Sequence, residues 1–190
     1  MKVGVLALQG AADLHLEALR CIGAAGKAVR RPHELADVDR LILPGGESTT
    51  MSMMLDAADL TEPLAERLAA GMPVLGTCAG LLLIAAEVSD GRPDQRCFAA
   101  LDIGARRNAY GPQTESFEVD LPVAALGPEP TRAIFIRSPI VERTGAGVEV
   151  LATLDGHAVL CRQGAAWGCT YHPELTGDLR LHRLFCEEAA

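Results

Sequence analysis

The stretch Pro73-Val74-Leu75-Gly76-Thr77-Cys78-Ala79-Gly80-Leu81-Leu82-Leu83-Ile84 joins a short apolar run to a helix-like segment through Gly-x-Cys-x-Gly. This layout is typical of a nucleophile elbow, a sharp strand-to-helix turn that lifts one side chain above a sheet. The flanking glycines fit such a turn because the backbone packs too closely there to leave room for a Cβ. A helix beginning at Ala79 would point its positive end at the Cys78 sulfur and favour the reactive thiolate. A buried core cysteine in a Gly-containing turn would give the same pattern, so the elbow alone leaves both roles open.

The composition is that of a globular, acidic chain. Its 190 residues are 49% hydrophobic and 22% charged, enough for one folded unit with a full core. The formal net charge of −8 disfavours a nucleic-acid-binding surface, which would carry a basic patch. No apolar run reaches the length of a membrane span, and we interpret residues 2–8 as a first strand and not as a signal peptide.

Cysteine spacing limits the possible chemistry further. The six cysteines are irregularly spaced and form no Cys-x-x-Cys pair, which disfavours zinc ribbons and thioredoxin-type redox chemistry. We therefore expect no bound metal and no other cofactor. Unpaired thiols in this number favour a reducing, cytoplasmic location.

Strand and helix patterns alternate in the first half of the chain. We predict strands over residues 3–8, 27–31, 41–43 and 73–75, and helices over residues 13–25, 48–57 and 60–70. This alternation with short connections predicts an α/β fold with a parallel sheet covered on both faces. The second half differs, because Gly and Pro turns separate short strand patterns that indicate antiparallel strands. Those strands are predicted over residues 102–107, 116–121, 133–136, 148–153, 157–162 and 165–170, before a terminal helix over 178–188.

Three loops follow the carboxyl ends of predicted strands, where open α/β sheets hold their sites. They are Gln9-Gly10 and residues 44–48 and 77–80, and we expect them to converge. In the second loop, two glycines let backbone N–H groups approach a ligand, and Ser48 or Thr49 is placed to cap the next helix.

The same loop has a possible catalytic use. The N–H of Gly46 can serve as one donor of an oxyanion hole, with the N–H of Ala79 as the other. A plain helix-capping turn would have the same sequence, so the two interpretations remain open. The loop is not a phosphate-binding P-loop, because the lysine and the required spacing are absent.

A cysteine nucleophile needs a base, and the base needs an orienting group. His172 and Glu174 lie two residues apart around Pro173, so in an extended segment both side chains would point the same way. The carboxylate could then hold one ring nitrogen and leave the other facing Cys78. Taken alone, an isolated His-x-Glu pair is more often structural, but the elbow reverses that balance. Four further histidines, His15, His33, His157 and His182, show no nearby acid in a similarly constrained setting.

Further motifs along the chain, together with the Cys78 turn and the His-Pro-Glu segment, resemble those of a known family. The chain is similar to the glutaminase subunits of pyridoxal 5′-phosphate synthases, which are class I, triad-type glutamine amidotransferases, over essentially its whole length. The motifs that carry the resemblance are LQGA at 8–11, PGGEST at 44–49, GTCAGLLLIA at 76–85, RRN at 106–108, SFE at 116–118, FIRSP at 135–139 and HPELT at 172–176.

The resemblance implies one flavodoxin-like glutaminase domain over residues 1–190, with a mostly parallel central sheet. It implies that Cys78 is the nucleophile, His172 the base and Glu174 its orienting acid. Family members hydrolyse L-glutamine and pass ammonia to a separate synthase subunit in a hetero-oligomer. That subunit assembles pyridoxal 5′-phosphate from a pentose phosphate and a triose phosphate. The residues implied to hold glutamine are Gly46, Glu47, Ser48, Arg107, Ile136 and Arg137.

Two departures from the family pattern stand out. Pro112 lies between Gly111 and Gln113, where the family leads us to expect a basic residue, and Ser138 replaces the more usual alanine. Three alternatives also remain. They are a class I glutaminase serving another acceptor, a cysteine hydrolase or stress protein on a related sheet, and a degenerate subunit that only binds or regulates.

Overall fold

A computed structural model describes residues 1–92, 94–107 and 116–188. The strands in these ranges are β1 (Lys2–Leu6), β2 (Ala25–Val29), β3 (Arg40–Leu43), β4 (Val74–Thr77), β5 (Ala85–Ser89), β6 (Leu101–Arg106), β7 (Phe117–Leu121), β8 (Thr131–Phe135), β9 (Ile140–Thr144), β10 (Glu149–Leu154), β11 (His157–Gln163) and β12 (Ala166–Cys169). The α-helices are α1 (Ala12–Cys21), α2 (Pro32–Ala36), α3 (Ser48–Ala57), α4 (Thr61–Ala69), α5 (Ala79–Ile84) and α6 (Arg180–Glu187).

The large sheet changes character halfway across. Its strand order is β2-β1-β3-β4-β12-β11-β9-β6-β5, with β10 added beside β11. The strands from β2 to β12 are mutually parallel, whereas β12, β11, β9 and β6 pair antiparallel in turn and β5 pairs parallel with β6. A separate antiparallel pair is formed by β7 and β8. The predicted α/β class, with a parallel first part and antiparallel strands in the second half, is confirmed.

Hydrophobic side chains cover both faces of this sheet. On one face Leu43 shares a core with Met51 of α3. Ile42, the preceding residue of β3, belongs to the opposite core with Leu19 of α1 and Phe185 of α6. Because successive side chains of a strand point to opposite faces, the apolar run Leu41–Leu43 of β3 is buried on both faces. The sheet is therefore a middle layer whose strand ends are left free to carry a site.

Several predicted boundaries were wrong. The helix after Cys78 ends at Ile84 after six residues, and β5 begins at once, where the apolar run gave no sign of a break. Neither α2 nor β9 was predicted, because PHELA and IVERT each contain only two hydrophobic residues and show no clear period. No helix in the described ranges is long and apolar enough to cross a membrane.

Candidate active site

The turn at Cys78 has the tight geometry expected of an elbow. Cys78 itself adopts φ 49° and ψ −102°, a conformation that residues with a side chain rarely take. A Cβ on Gly80 would lie 1.9 Å from the carbonyl oxygen of Leu43, and one on Gly76 would lie 2.6 Å from the carbonyl of Gly80. Both glycines are thus required by close backbone contact, and they hold Cys78 at the carboxyl end of β4.

Strand pairing brings His172 to the same place. In the parallel pairing of β4 with β12, Thr77 is opposite Cys169, and the N–H of Cys78 donates to the carbonyl of Cys169 over 2.8 Å. The chain leaving β12 is then fixed by a 2.9 Å hydrogen bond from the N–H of His172 to the carbonyl of Ile134. The ring of His172 is within hydrogen-bonding reach of the Cys78 thiol.

Glu174 binds the other side of the same imidazole. His172 Nδ1 lies 2.8 Å from Glu174 Oε1, and the Glu174 side chain is fully buried. The contact was predicted, but the expected extended geometry was wrong, because Glu174 lies in a short 3-10 helix, Pro173–Leu175. Proline at the first position starts this turn, and the turn itself directs the carboxylate back onto the ring. His172 is therefore hydrogen-bonded to Glu174 and lines the same cleft as Cys78.

The charges of the His172 imidazolium and the Glu174 carboxylate stabilise each other. Burial lowers the pKa of His172, but hydrogen bonds with Cys78 and Glu174, together with their charges, outweigh it and raise the pKa well above its ordinary value. Burial likewise raises the pKa of Glu174, yet the hydrogen bond from His172 lowers it below the ordinary value. Glu174 is therefore a carboxylate at neutral pH, and His172 is favoured as an imidazolium.

His15 also reaches Glu174, which the sequence analysis did not foresee. His15 Nε2 lies 3.5 Å from Glu174 Oε2, with both side chains fully buried. Our statement that the other histidines lack a nearby acid was therefore wrong for His15. The contact joins residues on α1 and after β12, so nothing in the local sequence around His15 could reveal it.

Around Cys78 lies a cleft of about 210 Å³. It includes every residue implied to hold glutamine, and it also includes Gln9, Leu82 and Pro139, which were not predicted as site residues. Gln9 was foreseen only as part of a converging loop. The lining residues are Gln9, Gly46, Glu47, Ser48, Cys78, Ala79, Leu82, Arg107, Ile136, Arg137, Pro139 and His172.

The three loops converge as predicted. Gln9 Oε1 accepts a 2.8 Å hydrogen bond from the N–H of Glu47, and the N–H of Ala11 donates to the carbonyl of Gly45 over 3.2 Å. A Cβ on Gly45 would lie 2.4 Å from His172 Cε1 and 3.5 Å from Cys78 Cβ. The bare backbone of the second loop therefore lies directly against Cys78 and His172.

The cap of α3 differs from our prediction. Glu47, not Ser48 or Thr49, is the N-cap residue, and its carboxylate accepts hydrogen bonds from the N–H groups of Thr49 and Thr50. The Ser48 hydroxyl instead donates to Gln95 Oε1 over 2.9 Å. The longer glutamate side chain can curl back to the helix N-terminus, where a negative charge is favoured.

The remaining side of the cleft comes from the second half of the chain. Arg107 Nη2 donates to Glu47 Oε1 over 2.6 Å, so these two residues contact each other as well as the cleft. The carbonyl of Ile136 lies 4.0 Å from Cys78 Sγ. Arg137 follows with φ 46°, an unusual conformation for a non-glycine residue.

Of the two departures from the family pattern, one is described. The hydroxyl of Ser138 is buried and has no hydrogen-bond partner among the described residues. Gly111, Pro112, Gln113 and the motif residue Asn108 lie outside the described residues. Within the described ranges, no three His, Cys, Asp or Glu side chains are grouped to hold a metal ion.

A fold and site of this kind define a class I-type glutamine amidotransferase, and comparisons support that class. A solved structure described as a glutamine amidotransferase superposes with a TM-score of 0.90 at 44% identity, covering 97% of each chain. Residues 5–190 match the SNO glutamine amidotransferase family, and the chain belongs to that family.

Two relatives are similar over nearly their whole length. A protein of Salinispora arenicola (strain CNS-205) is 51% identical over 190 residues, covering 97% of this chain and 94% of the relative. One of Roseiflexus sp. (strain RS-1) is 53% identical over 186 residues, covering 97% and 98%. Both carry the name pyridoxal 5′-phosphate synthase subunit PdxT.

Proposed function

We propose that this protein hydrolyses L-glutamine to L-glutamate and ammonia, with Cys78 as nucleophile, His172 as acid and base, and Glu174 as the orienting acid. The observation that carries the proposal is the hydrogen bond between His172 and Glu174 beside Cys78, with His172 and Cys78 lining one cleft. The cleft is lined by all six residues implied to hold glutamine: Gly46, Glu47, Ser48, Arg107, Ile136 and Arg137.

The reaction proceeds through two tetrahedral intermediates. The Cys78 thiolate attacks the side-chain amide carbon of glutamine, and the oxyanion is held by the N–H groups of Gly46 and Ala79. The His172 imidazolium gives its proton to the amide nitrogen, the C–N bond breaks, and ammonia leaves a thioester on Cys78. Neutral His172 then takes a proton from water, hydroxide attacks the thioester, and glutamate leaves as the thiolate is restored. Glu174 stabilises the imidazolium form of His172 in both steps without taking a proton.

The names of the relatives indicate where the ammonia goes. We propose that the chain is one glutaminase domain over residues 1–190, working in the cytoplasm in a hetero-oligomer with a synthase subunit. That subunit uses the ammonia to make pyridoxal 5′-phosphate from a pentose phosphate and a triose phosphate. The support is the family membership together with the near full-length similarity to two proteins named as subunits of that synthase.

Glutamate release from glutamine tests both parts. It is measured for the wild type, Cys78→Ala and Cys21→Ala. Each is assayed alone and with the synthase subunit that makes pyridoxal 5′-phosphate. Cys21 is exposed and does not line the cleft, so its variant controls for the loss of a thiol. We expect activity that rises with the synthase subunit and is lost only in Cys78→Ala. Activity that ignores the synthase subunit would indicate a different acceptor, and wild-type-like activity in Cys78→Ala would refute the catalytic assignment.

A further inference from the structure

The two carboxylate oxygens of Glu174 are both in the protein interior, but they differ in their partners. Oε1 is bound by His172 Nδ1, whereas Oε2 is buried and has no hydrogen-bond partner of ordinary geometry among the described residues. A buried charged oxygen without a donor is unfavourable, and such atoms nearly always have one. A polar group close to Oε2 therefore helps to decide how firmly the carboxylate is held against His172.

That group is the imidazole of His15. Its Nε2 lies 3.5 Å from Glu174 Oε2 and 3.3 Å from Thr77 Oγ1. Its Nδ1 lies 2.9 Å from Nε2 of His182 on α6. His15, Thr77 and His182 are all fully buried, so water does not compete for these contacts. Both nitrogens of His15 are thus engaged, Nδ1 with a second histidine and Nε2 with both the Thr77 hydroxyl and the Glu174 carboxylate.

The direction of these contacts follows from the protonation of the two histidines. Burial lowers the pKa of His15 to about 4 and also lowers that of His182, so both rings are neutral at neutral pH. A neutral imidazole has one N–H donor and one lone-pair acceptor. If His15 donated from Nδ1 to His182, the lone pair of Nε2 would face the negative charge of Glu174. Electrostatics therefore favours the other tautomer, in which His182 Nε2–H donates to His15 Nδ1.

We propose that His15 is a positioning residue, which donates its Nε2–H to Glu174 Oε2 and is held in that tautomer by His182. In this arrangement Glu174 receives a donor on each oxygen, one from His172 and one from His15. The carboxylate is then fixed in the plane that orients His172 toward Cys78. The role rests on the proposed glutaminase function, because His15 acts on turnover only through Glu174 and His172.

Two matched substitutions separate donation from packing. The side-chain amide of His15→Gln reaches the position of Nε2, whereas that of His15→Asn reaches only the position of Nδ1. We expect His15→Asn to lower kcat about tenfold with KM changed less than about twofold, since it removes one hydrogen bond to a charged group. His15→Gln should retain kcat within about threefold of the wild type. Both are measured with the synthase subunit present.

A second readout reports on the carboxylate without turnover. The His172 Nδ1–H proton bound to Glu174 should give a far-downfield proton NMR resonance, because hydrogen bonds to a charged acceptor are short and strong. We expect this resonance to persist in His15→Gln and to shift or broaden in His15→Asn. An inactive wild type would refute the proposed function, whereas the resonance would still test the His15 contact.

The proposal is overturned if His15→Asn keeps both wild-type kcat and the wild-type resonance. It is also overturned if the two variants lose activity equally while folded, since that result indicates a packing role only. Should His15→Asn fail to fold, His182→Phe supplies the test. This variant removes the donor that fixes the tautomer, and we expect it to lower kcat severalfold at unchanged KM. Unchanged kcat in His182→Phe would exclude the part assigned to His182.

Discussion

Arg107 Nη2 donates a hydrogen bond to Glu47 Oε1 over 2.6 Å, and this contact joins the end of β6 to the N-terminus of α3. Glu47 keeps its bonds to Thr49 and Thr50 if Arg107 is removed, so α3 would stay capped. Loss of Arg107 should therefore affect the ligand more than the fold.

We expect Arg107→Met to raise KM for glutamine about tenfold with little change in kcat, since binding to ground and transition states is lost alike. The neighbouring Arg106 is a matched control, because it pairs with Glu142 over 2.6 Å and does not line the cleft. Steady-state kinetics of both variants check the expectation. An equal rise in KM for Arg106→Met would remove the case for a contact specific to Arg107.

Loss of His172 should be more severe than loss of Glu174. We expect His172→Ala to lower kcat about 10⁴-fold and Glu174→Ala about 10²-fold, because in the proposed mechanism only His172 transfers protons. Exposed Glu66, away from the cleft, provides a control substitution to alanine. Single-turnover glutamate release gives the comparison, and an equal loss in the two catalytic variants would contradict the assigned division of roles.

The lack of space beside Gly80 allows a prediction about the free energy of unfolding. A Cβ on Gly80 would lie 1.9 Å from a backbone oxygen of β3, which cannot move without disturbing the sheet. We expect Gly80→Ala to lower the free energy of unfolding in urea by about 3 kcal/mol or more. Gly91 is the control, because a Cβ there would meet its nearest neighbour at 3.4 Å, an ordinary contact. Equal stability of the two variants would show that the turn can relax.

His15 should make stability depend on pH in a defined direction. Its pKa is lowered from 6.5 to about 4 on folding, so the unfolded chain binds the extra proton between these values. The free energy of unfolding is therefore unaffected by this histidine above about pH 6.5 and falls as the pH drops toward 4. The total decrease is at most about 3 kcal/mol. Urea unfolding from pH 4.5 to 7 should show this slope in the wild type and a flatter one in His15→Gln. Identical slopes would mean that His15 is not buried as a neutral ring.

Much of the site could be predicted because its chemistry is encoded locally. Gly76, Cys78 and Gly80 are close together in the sequence, and so are His172 and Glu174, so spacing predicted the tight turn and the contact between imidazole and carboxylate. The residues implied to hold glutamine around the cleft were predicted only from the family resemblance. The cap of α3 was assigned wrongly because short hydroxyl side chains are the commoner caps, whereas Glu47 also has Arg107 to bind.

Other features depend on tertiary contacts that no local pattern carries. His15 meets Glu174 only because α1 packs beneath the turn that follows β12. The early end of α5 at Ile84 was equally hidden, since its last residues are as apolar as a longer buried helix would require. These contacts are set by the sheet order, which brings together segments far apart in the chain.

The position of β12 has a consequence for the making of the protein. β12 is the last strand of the described residues, yet it lies in the middle of the sheet, between β4 and β11. During translation, β4 and Cys78 therefore leave the ribosome well before β12, which pairs with the open edge of β4. His172, which follows β12, also emerges later. Under the proposed mechanism, the nascent chain carries a thiol without its base, and the two meet only when β12 is inserted between β4 and β11.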